Sequence, residues 1–271
     1  MKGWGESMGK IIAVTNQKGG VGKTTTSVNL AASLVATHRR VLLVDLDPQG
    51  NATMGSGVDK HAVELSSYHV LMQEATVAEA VVSTGEAGYD MLPSNADLTA
   101  AEVELLQQPQ RERRLRDALV DVIGSYDYIL IDCPPSLNML TLNALVASQS
   151  VMIPMQCEYY ALEGLTALVN TIEEVKGSLN PFLQIDGLLR TMYDPRNRLS
   201  GDVNEQLNKH FGDKLFRTVI PRNIRLAEAP SHGLPVLVYD RSSRGAQAYL
   251  ALAGEMLRRD KALGSQMAAN A

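Results

Sequence analysis

The sequence predicts an α/β fold in which a mostly parallel, twisted sheet carries helices on both faces. Three observations support this fold class. Short β-branched runs alternate with helical patterns along the chain, a glycine-rich turn joins the first predicted strand to the first predicted helix, and aspartates stand at the ends of further strands. Such alternation is typical of parallel strands joined by crossover helices.

Two stretches at the start illustrate how each element is assigned. KIIAVTN (10–16) is apolar and β-branched and predicts a buried strand, and TTTSVNLAASLVATH (24–38) carries Ala and Leu at helical spacing. The same reasoning gives strands at 10–16, 40–47, 90–95, 126–135, 150–156, 184–193 and 217–221. It gives helices at 24–38, 141–149, 162–179 and 244–263, with one or two more within 98–123.

Composition limits the class of protein. The chain has 271 residues, 45% of them hydrophobic and 20% charged, which is enough for one large α/β domain or two small ones with a sizeable core. The net charge of −5 argues against a protein that coats nucleic acid with its whole surface. The two cysteines form no CxxC or Cys/His cluster, so no zinc site is predicted.

Chain organisation points to a single domain over residues 9–263. We find no internal repeat, linker or low-complexity segment, and we expect a flexible extension over 1–8 and a flexible tail over 264–271. No apolar run approaches the roughly 20 residues of a membrane helix, and the first residues lack the apolar core of a signal peptide. The expected location is the cytoplasm, with no membrane partner.

The stretch QKGGVGKTTT (17–26) resembles a phosphate-binding loop, G-x-x-x-x-G-K-[ST], although Gln17 stands where the first glycine should be. Glycines allow backbone N–H groups to approach phosphate oxygens, Lys23 would reach the β- and γ-phosphates, and the Thr24 hydroxyl would ligate Mg²⁺. The residues expected to bind the nucleotide are Lys18, Gly19, Gly20, Val21, Gly22, Lys23, Thr24 and Thr25.

Lys18 is a second lysine at the other end of this loop. Because it lies at the start of the loop, its side chain cannot easily fold back onto the phosphate that the loop holds. It could instead point outward and supply positive charge to the nucleotide of a facing subunit, as an arginine finger does. The alternative is an ordinary solvated lysine.

Three aspartates are expected at the carboxyl ends of strands, where open α/β sheets bind ligands. Asp45 and Asp47 lie two residues apart in VLLVDLD, so one could orient Mg²⁺ and the other the attacking water. YILID ends in Asp132, the form of a Walker B strand, and Asp132 would hold Mg²⁺ through water.

A locally basic segment runs from Arg190 to Arg244. It contains ten Lys or Arg and six Asp or Glu, a balance of +4 in a chain of net −5. Arginines of this kind suit phosphate contact, although scattered solvated arginines would give the same count.

Five stretches together resemble the ParA/Soj family of chromosome and plasmid partition ATPases, which belongs to the deviant Walker A group of P-loop NTPases. The resemblance runs from about residue 9 to about residue 258, and the last two stretches narrow it to the partition branch. The stretches are KGGVGKTTT, VLLVDLDPQGNAT, YDYILIDCPPSLN, IPMQCEYYALEGL and VIPRNIRLAEAPSHGLPV.

The resemblance implies an ATPase that uses ATP and Mg²⁺ and acts in DNA segregation. An ATP-bound sandwich homodimer would bind double-stranded DNA without sequence preference, and a ParB-type partner would stimulate hydrolysis and release the DNA. The protein would then be nucleoid-associated.

The family's residue roles carry over by position. Lys18 would be the signature lysine that crosses the dimer interface, and Asp47 would position the attacking water. Pro221 and Asn223 would contact adenine. The DNA-contacting arginines would be Arg196 and Arg225, and Arg222 of the same basic segment is predicted to bind DNA with them.

Three other classes of protein fit the sequence less well. A metabolic enzyme of the same fold would need a second catalytic constellation, and none is visible. A membrane-positioned relative such as MinD would need a C-terminal basic amphipathic helix, but LRRDK is short and SQMAANA is polar. The nitrogenase-reductase type needs a cysteine pair that Cys133 does not provide.

Overall fold

Eight strands form one sheet in the computed structural model, which describes residues 9–158, 161–196 and 198–269. The strands are β1 (Lys10–Val14), β2 (Val41–Asp45), β3 (Val82–Ser83), β4 (Asp90–Leu92), β5 (Tyr128–Asp132), β6 (Ser150–Gln156), β7 (Gln184–Tyr193) and β8 (Leu215–Pro221). Their order is β3-β4-β2-β5-β1-β6-β7-β8, and only the pairing of β3 with β4 is antiparallel.

The helices cover both faces of this sheet. They are α1 (Lys23–Val35), α2 (Asn51–Gly55), α3 (Ser67–Met72), α4 (Val77–Ala80), α5 (Leu98–Glu104), α6 (Arg114–Leu119), α7 (Met139–Ala147), α8 (Ala161–Ser178), α9 (Arg198–Phe211), α10 (Ile224–Glu228), α11 (Val236–Tyr239) and α12 (Arg244–Ala269). The predicted α/β fold with a mostly parallel sheet is confirmed.

Alternate side chains of β1 enter two separate cores. Ile11 and Ala13 pack with α7 and α8 on one face, whereas Ile12 and Val14 pack with α1 and α12 on the other. Because both faces are covered, the central strands are apolar at nearly every position rather than alternating. This burial fixes where each strand ends, and the polar residues that follow those ends meet at one edge of the sheet.

Several elements differ from their predicted extent. The sequence analysis did not predict the edge strand β3 or the helices α2, α3, α4, α9, α10 and α11. Most of these elements span six residues or fewer, which is too short for hydrophobic periodicity to indicate them. α12 continues to Ala269, so the predicted flexible tail is helical over most of its length. The predicted extension over 1–8 lies outside the described residues, and the assignment of a single domain stays a prediction.

Gly233 and Gly57 pack backbone to backbone. Gly233 has φ +64°, and a Cβ on it would lie 2.9 Å from the Gly57 Cα. We expect Gly233→Ala to lower the free energy of unfolding by about 1–3 kcal/mol, because it adds both a left-handed strain and a backbone clash. Chemical denaturation measures this change.

Gly177→Ala is the matched control. Gly177 lies in α8, and a Cβ there would meet nothing within 4 Å. Since alanine favours a helix by about 1 kcal/mol over glycine, this variant should be at least as stable as the original chain. If Gly233→Ala and Gly177→Ala were equally stable, the close packing of Gly233 on Gly57 would be contradicted.

Candidate nucleotide-binding site

The loop between β1 and α1 borders a cavity of about 700 Å³ at the carboxyl edge of the sheet. Gly20 and Gly22 have φ of +73° and +84°, and α1 begins at Lys23 directly after the loop. Side chains at these two positions would be strained, which accounts for the glycines. The cavity is lined by Gly19, Gly20, Gly22, Lys23, Thr24, Thr25, Asp47, Pro48, Gln49, Asn51, Thr99, Glu102, Pro134, Pro135, Ser136 and Met192.

Side chains from β6 and β7 hold the loop in place. The Thr191 hydroxyl donates to the carbonyl of Val21 at 2.8 Å, and the Gln156 amide donates to the carbonyl of Gly20 at 3.0 Å. Val21 itself is buried and does not line the cavity. These contacts join residues more than 100 positions apart, so the local sequence pattern gave no signal for them.

Lys23 reaches across the concave side of the loop. It is only 7% exposed, and its ammonium donates to the carbonyl of Lys18 at 3.2 Å. Burial lowers the pKa of Lys23, and the nearby Asp132 carboxylate acts in the opposite direction. The ammonium therefore lies against the backbone of the loop, and the binding of a phosphate by Lys23 stays a prediction.

Asp132 ends β5 directly beneath the first turn of α1. Its two carboxylate oxygens accept hydrogen bonds from the hydroxyls of Thr24 and Ser27, each at 2.8 Å. Burial raises the pKa of Asp132, and the charge of Asp45 adds to the rise. Thr24 lines the cavity, and its hydroxyl is hydrogen-bonded to the Asp132 carboxylate. Oxygen groups of this kind are the ligands that Mg²⁺ prefers. Ser27 was not predicted, although it follows Thr24 by one turn on the same helix face.

Asp45 and Asp47 lie in different surroundings. Asp45 is fully buried outside the cavity, and its oxygens accept from the backbone N–H of Asp47 at 3.0 Å and from both the backbone and the hydroxyl of Thr53. Burial raises the pKa of Asp45 to about 6. Through these hydrogen bonds Asp45 holds the backbone of Asp47, and its role as a magnesium ligand stays a prediction.

Asp47 lines the cavity, and its own backbone is fixed from two sides. Asp45 accepts from its N–H, and the Ser94 hydroxyl donates to its carbonyl at 2.8 Å. One carboxylate oxygen accepts from the N–H of Gln49 at 3.0 Å. The other oxygen, Oδ2, forms no hydrogen bond with the described part of the chain.

Lys18 extends away from the cavity. Its side chain is 42% exposed, and its ammonium forms an ion pair with the half-exposed Glu158, which follows β6. The side chain of Lys18 therefore lies on the surface, and its role toward a facing subunit stays a prediction. Glu158 was not predicted as its partner, because the two residues are 140 positions apart.

Pro221 and Asn223 lie at the end of β8, away from the phosphate loop. Pro221 is in register with Tyr193 of β7, two residues beyond Thr191. The amide oxygen of Asn223 is buried and has no hydrogen-bond partner among the described residues. A buried acceptor left unpaired is costly, and the exocyclic amino group of adenine is a donor that could pair with it.

The three predicted DNA-contacting arginines are exposed. Arg196 forms a bidentate pair with Asp194, with its Nε at 3.0 Å and an Nη at 2.8 Å, and this pairing lowers the pKa of Asp194 to about 2. Arg222 lies close enough to Asp194 to lower that pKa further. Arg225 pairs with Glu228 at 2.8 Å and with Asp240 at 3.2 Å.

Within the described residues, no helix combines the length and the apolar character needed to cross a membrane.

Comparison with known proteins gives consistent matches over most of the chain. Residues 9–185 match the family model of an AAA domain. The sporulation initiation inhibitor protein Soj of Bacillus subtilis is 56% identical over 249 residues, 92% of this chain and 98% of that protein. The chromosome partitioning protein ParA of Caulobacter vibrioides is 53% identical over 254 residues, covering 93% and 95%.

Solved structures are similar to this chain over an equally large share of its length. A crystal structure of cobyrinic acid a,c-diamide synthase from Mycobacterium smegmatis, with bound ADP and magnesium, superposes with a TM-score of 0.82 at 39% identity and covers 94% of this chain and 96% of that one. A plasmid partition protein from Borrelia burgdorferi bound to AMPPNP has a TM-score of 0.78 at 26% identity, covering 93% and 99%.

Proposed function

This chain belongs to the Soj/ParA family of chromosome-partitioning ATPases, and from that premise we propose that it is an ATP-driven switch for DNA segregation. ATP binding would assemble a homodimer that holds DNA, and hydrolysis would release it. The observation that carries this proposal is the loop with two lysines, of which Lys23 faces the cavity and Lys18 faces outward.

Lys23 and the backbone N–H groups of residues 19–25 would bind the phosphates of ATP. Thr24 would hold Mg²⁺, and Asp132 would orient the Thr24 hydroxyl and the waters of the metal. Magnesium supplies charge neutralisation to the phosphates when it is bound. The ADP and magnesium in the similar Mycobacterium smegmatis structure support both ligands. Pro221 and the unpaired amide oxygen of Asn223 would receive the adenine.

Asp47 would position the attacking water for hydrolysis. Its side chain belongs to a residue that lines the cavity, and its backbone is anchored by Asp45 and Ser94. A carboxylate held in this way accepts a hydrogen bond from water without having to reorganise, which is the main requirement in phosphoryl transfer.

Lys18 would cross the dimer interface and contact the nucleotide of the partner subunit. Its outward direction and its half-exposed position support this role. The ion pair with Glu158 is exposed and therefore weak, so a phosphate could replace it at little cost.

The arginines 196, 222 and 225 would bind DNA phosphates without reading sequence. Alanine at both Arg196 and Arg225 is expected to weaken binding equally on unrelated duplexes. The slope of log K against log salt should flatten by about 0.9 for each phosphate that the variant no longer neutralises. Filter binding or anisotropy at several salt concentrations measures both effects, and ATP binding should be unchanged.

The matched control replaces the exposed Arg40 and the partly exposed Arg116, which are also paired with aspartates. This control should bind DNA like the original chain. Loss of binding that depends on DNA sequence, or equal loss in the control, would contradict the proposed surface.

A ParB-type partner would stimulate hydrolysis and so release the DNA, and the protein would act in the cytoplasm on the nucleoid.

The competing function is a metabolic enzyme that uses ATP on a small carboxylate, and the similarity to the synthase structure favours testing it. DNA alone should raise ATP turnover if the switch is correct. ATP turnover that does not change when DNA is added, and that requires a small-molecule acceptor, would support the metabolic enzyme instead.

A further inference from the structure

The segment that follows β2 forms part of the wall of the nucleotide cavity, and both Asp47 and Gln49 line it. The N–H of Gln49 donates to the Asp47 carboxylate at 3.0 Å, and the N–H of Gly50 donates to the Asp47 carbonyl at 2.9 Å. These two hydrogen bonds close a tight turn over residues 47–50. The orientation of the Asp47 carboxylate therefore depends on the conformation of this turn.

Lys60 binds the turn from outside the cavity. Its half-buried side chain donates to the Gln49 carbonyl at 2.6 Å. The peptide between Gln49 and Gly50 is thus held at both ends, its carbonyl by Lys60 and its N–H by the carbonyl of Asp47. A hydrogen bond from an ionised donor is roughly twice as strong as one between neutral groups, so the ammonium restricts this peptide more than a neutral side chain would.

Gly50 leaves the space that the lysine needs. Gly50 has φ +61°, and a Cβ on it would lie 2.9 Å from the Lys60 Cδ and 2.9 Å from the Ser94 carbonyl oxygen. Glycine adopts this left-handed conformation without a steric cost. The stem of Lys60 therefore packs against the turn and does not extend into solvent, so both packing and the hydrogen bond define the contact.

The chain returns to this turn after α2. Two backbone hydrogen bonds close the reversal, from the N–H of Gly57 to the carbonyl of Met54 at 3.1 Å and from the N–H of Val58 to the carbonyl of Thr53 at 3.2 Å. Lys60 follows the reversal and lies eleven positions after the carbonyl that it binds. The position of its side chain is thus set by the backbone on both sides of α2.

We propose that Lys60 is a positioning residue for ATP hydrolysis, which acts through the turn at Gln49 and Gly50 on the Asp47 carboxylate. This inference rests on the role of Asp47 in the proposed function. Lys60 holds the turn in the conformation in which the Gln49 N–H meets Asp47, and so it limits the directions in which that carboxylate can accept a hydrogen bond from water. Such placement matters, since a shift of about 1 Å at a reacting group can cost about a hundredfold in rate.

The test replaces Lys60 by methionine, which keeps an unbranched apolar stem and removes the ammonium. We expect Lys60→Met to lower kcat about tenfold, because the turn is loosened but Asp47 remains. Equilibrium ATP binding and the free energy of unfolding should change little. Lys60→Arg restores a charged donor and should recover most of the rate. A fall in ATP affinity as large as the fall in kcat would contradict a positioning role.

Lys176→Met is the matched control. Lys176 pairs with Glu173 at 3.9 Å on α8 and lies outside the nucleotide cavity. This variant should hydrolyse ATP at the original rate, so a tenfold loss in it would show that the loss in Lys60→Met is not specific to the turn and would overturn the inference.

A double-mutant cycle decides whether Lys60 acts through Asp47. In the Asp47→Ala background, Lys60→Met should lower single-turnover hydrolysis no further, since groups that act as a unit are not additive. A further tenfold loss in the double variant, or the original rate in Lys60→Met alone, would overturn the inference and leave the proposed function standing. If Asp47→Ala itself hydrolyses ATP normally, the proposed role of Asp47 is wrong and that of Lys60 is overturned with it.

Discussion

Asp47→Ala is expected to bind ATP and Mg²⁺ normally and to lose ATP turnover by about a hundredfold or more, since positioned proton acceptors contribute on that scale. The carboxylate lines the cavity, and among the described residues it forms no hydrogen bond with Lys23 or Thr24, so we expect its removal to leave the phosphate-binding groups in place. The dimer should then persist on DNA because hydrolysis no longer ends it. Single-turnover hydrolysis and equilibrium ATP binding measure the two halves of this expectation.

Asp59→Ala is the control, because Asp59 is an exposed aspartate that follows the same segment and lies outside the cavity. It should hydrolyse ATP at the original rate. Normal turnover in Asp47→Ala would move the role of positioning water to another carboxylate at this edge.

Lys18→Ala is expected to bind ATP as a monomer and to fail to form the ATP-dependent dimer. Lys23 and the loop amides remain, so the nucleotide of the same subunit keeps its contacts. Two nucleotides brought face to face repel each other, and the lysine from across the interface offsets that charge. DNA binding should fall with the dimer, because two subunits must present their arginines together.

Lys176→Ala is a closely matched control. Lys176 is 42% exposed, the same as Lys18, and it also forms an ion pair with a glutamate. It should dimerise like the original chain. A Lys18→Ala variant that reaches the dimer mass with ATP and Mg²⁺ would leave Lys18 without a role across the interface.

Local patterns were sufficient for the fold and for the phosphate loop. The loop could be placed because strand, glycines, Lys23 and helix follow one another within about 30 residues, as the βα context of such a loop requires. The aspartates at strand ends were found because parallel strands share one carboxyl edge. The separate roles of Asp45 and Asp47 were not resolved, because they depend on Thr53 and Ser94, whose side chains reach them only in the folded chain.

The contacts that could not be predicted join distant parts of the chain. Thr191 and Gln156 hold the loop from two other strands, and Glu158 pairs with Lys18. Hydrophobic periodicity indicates that helices pack on the sheet, but it carries no information about which side chains then meet.

The mass of the protein in solution with ATP and Mg²⁺, compared with ADP and Mg²⁺, tests the central claim most directly. Sedimentation with and without DNA measures mass and DNA binding together. We predict a monomer with ADP, twice that mass with ATP, and co-sedimentation with DNA only in the ATP state. The same mass with both nucleotides, or equal DNA binding with ADP, would contradict an ATP-driven switch.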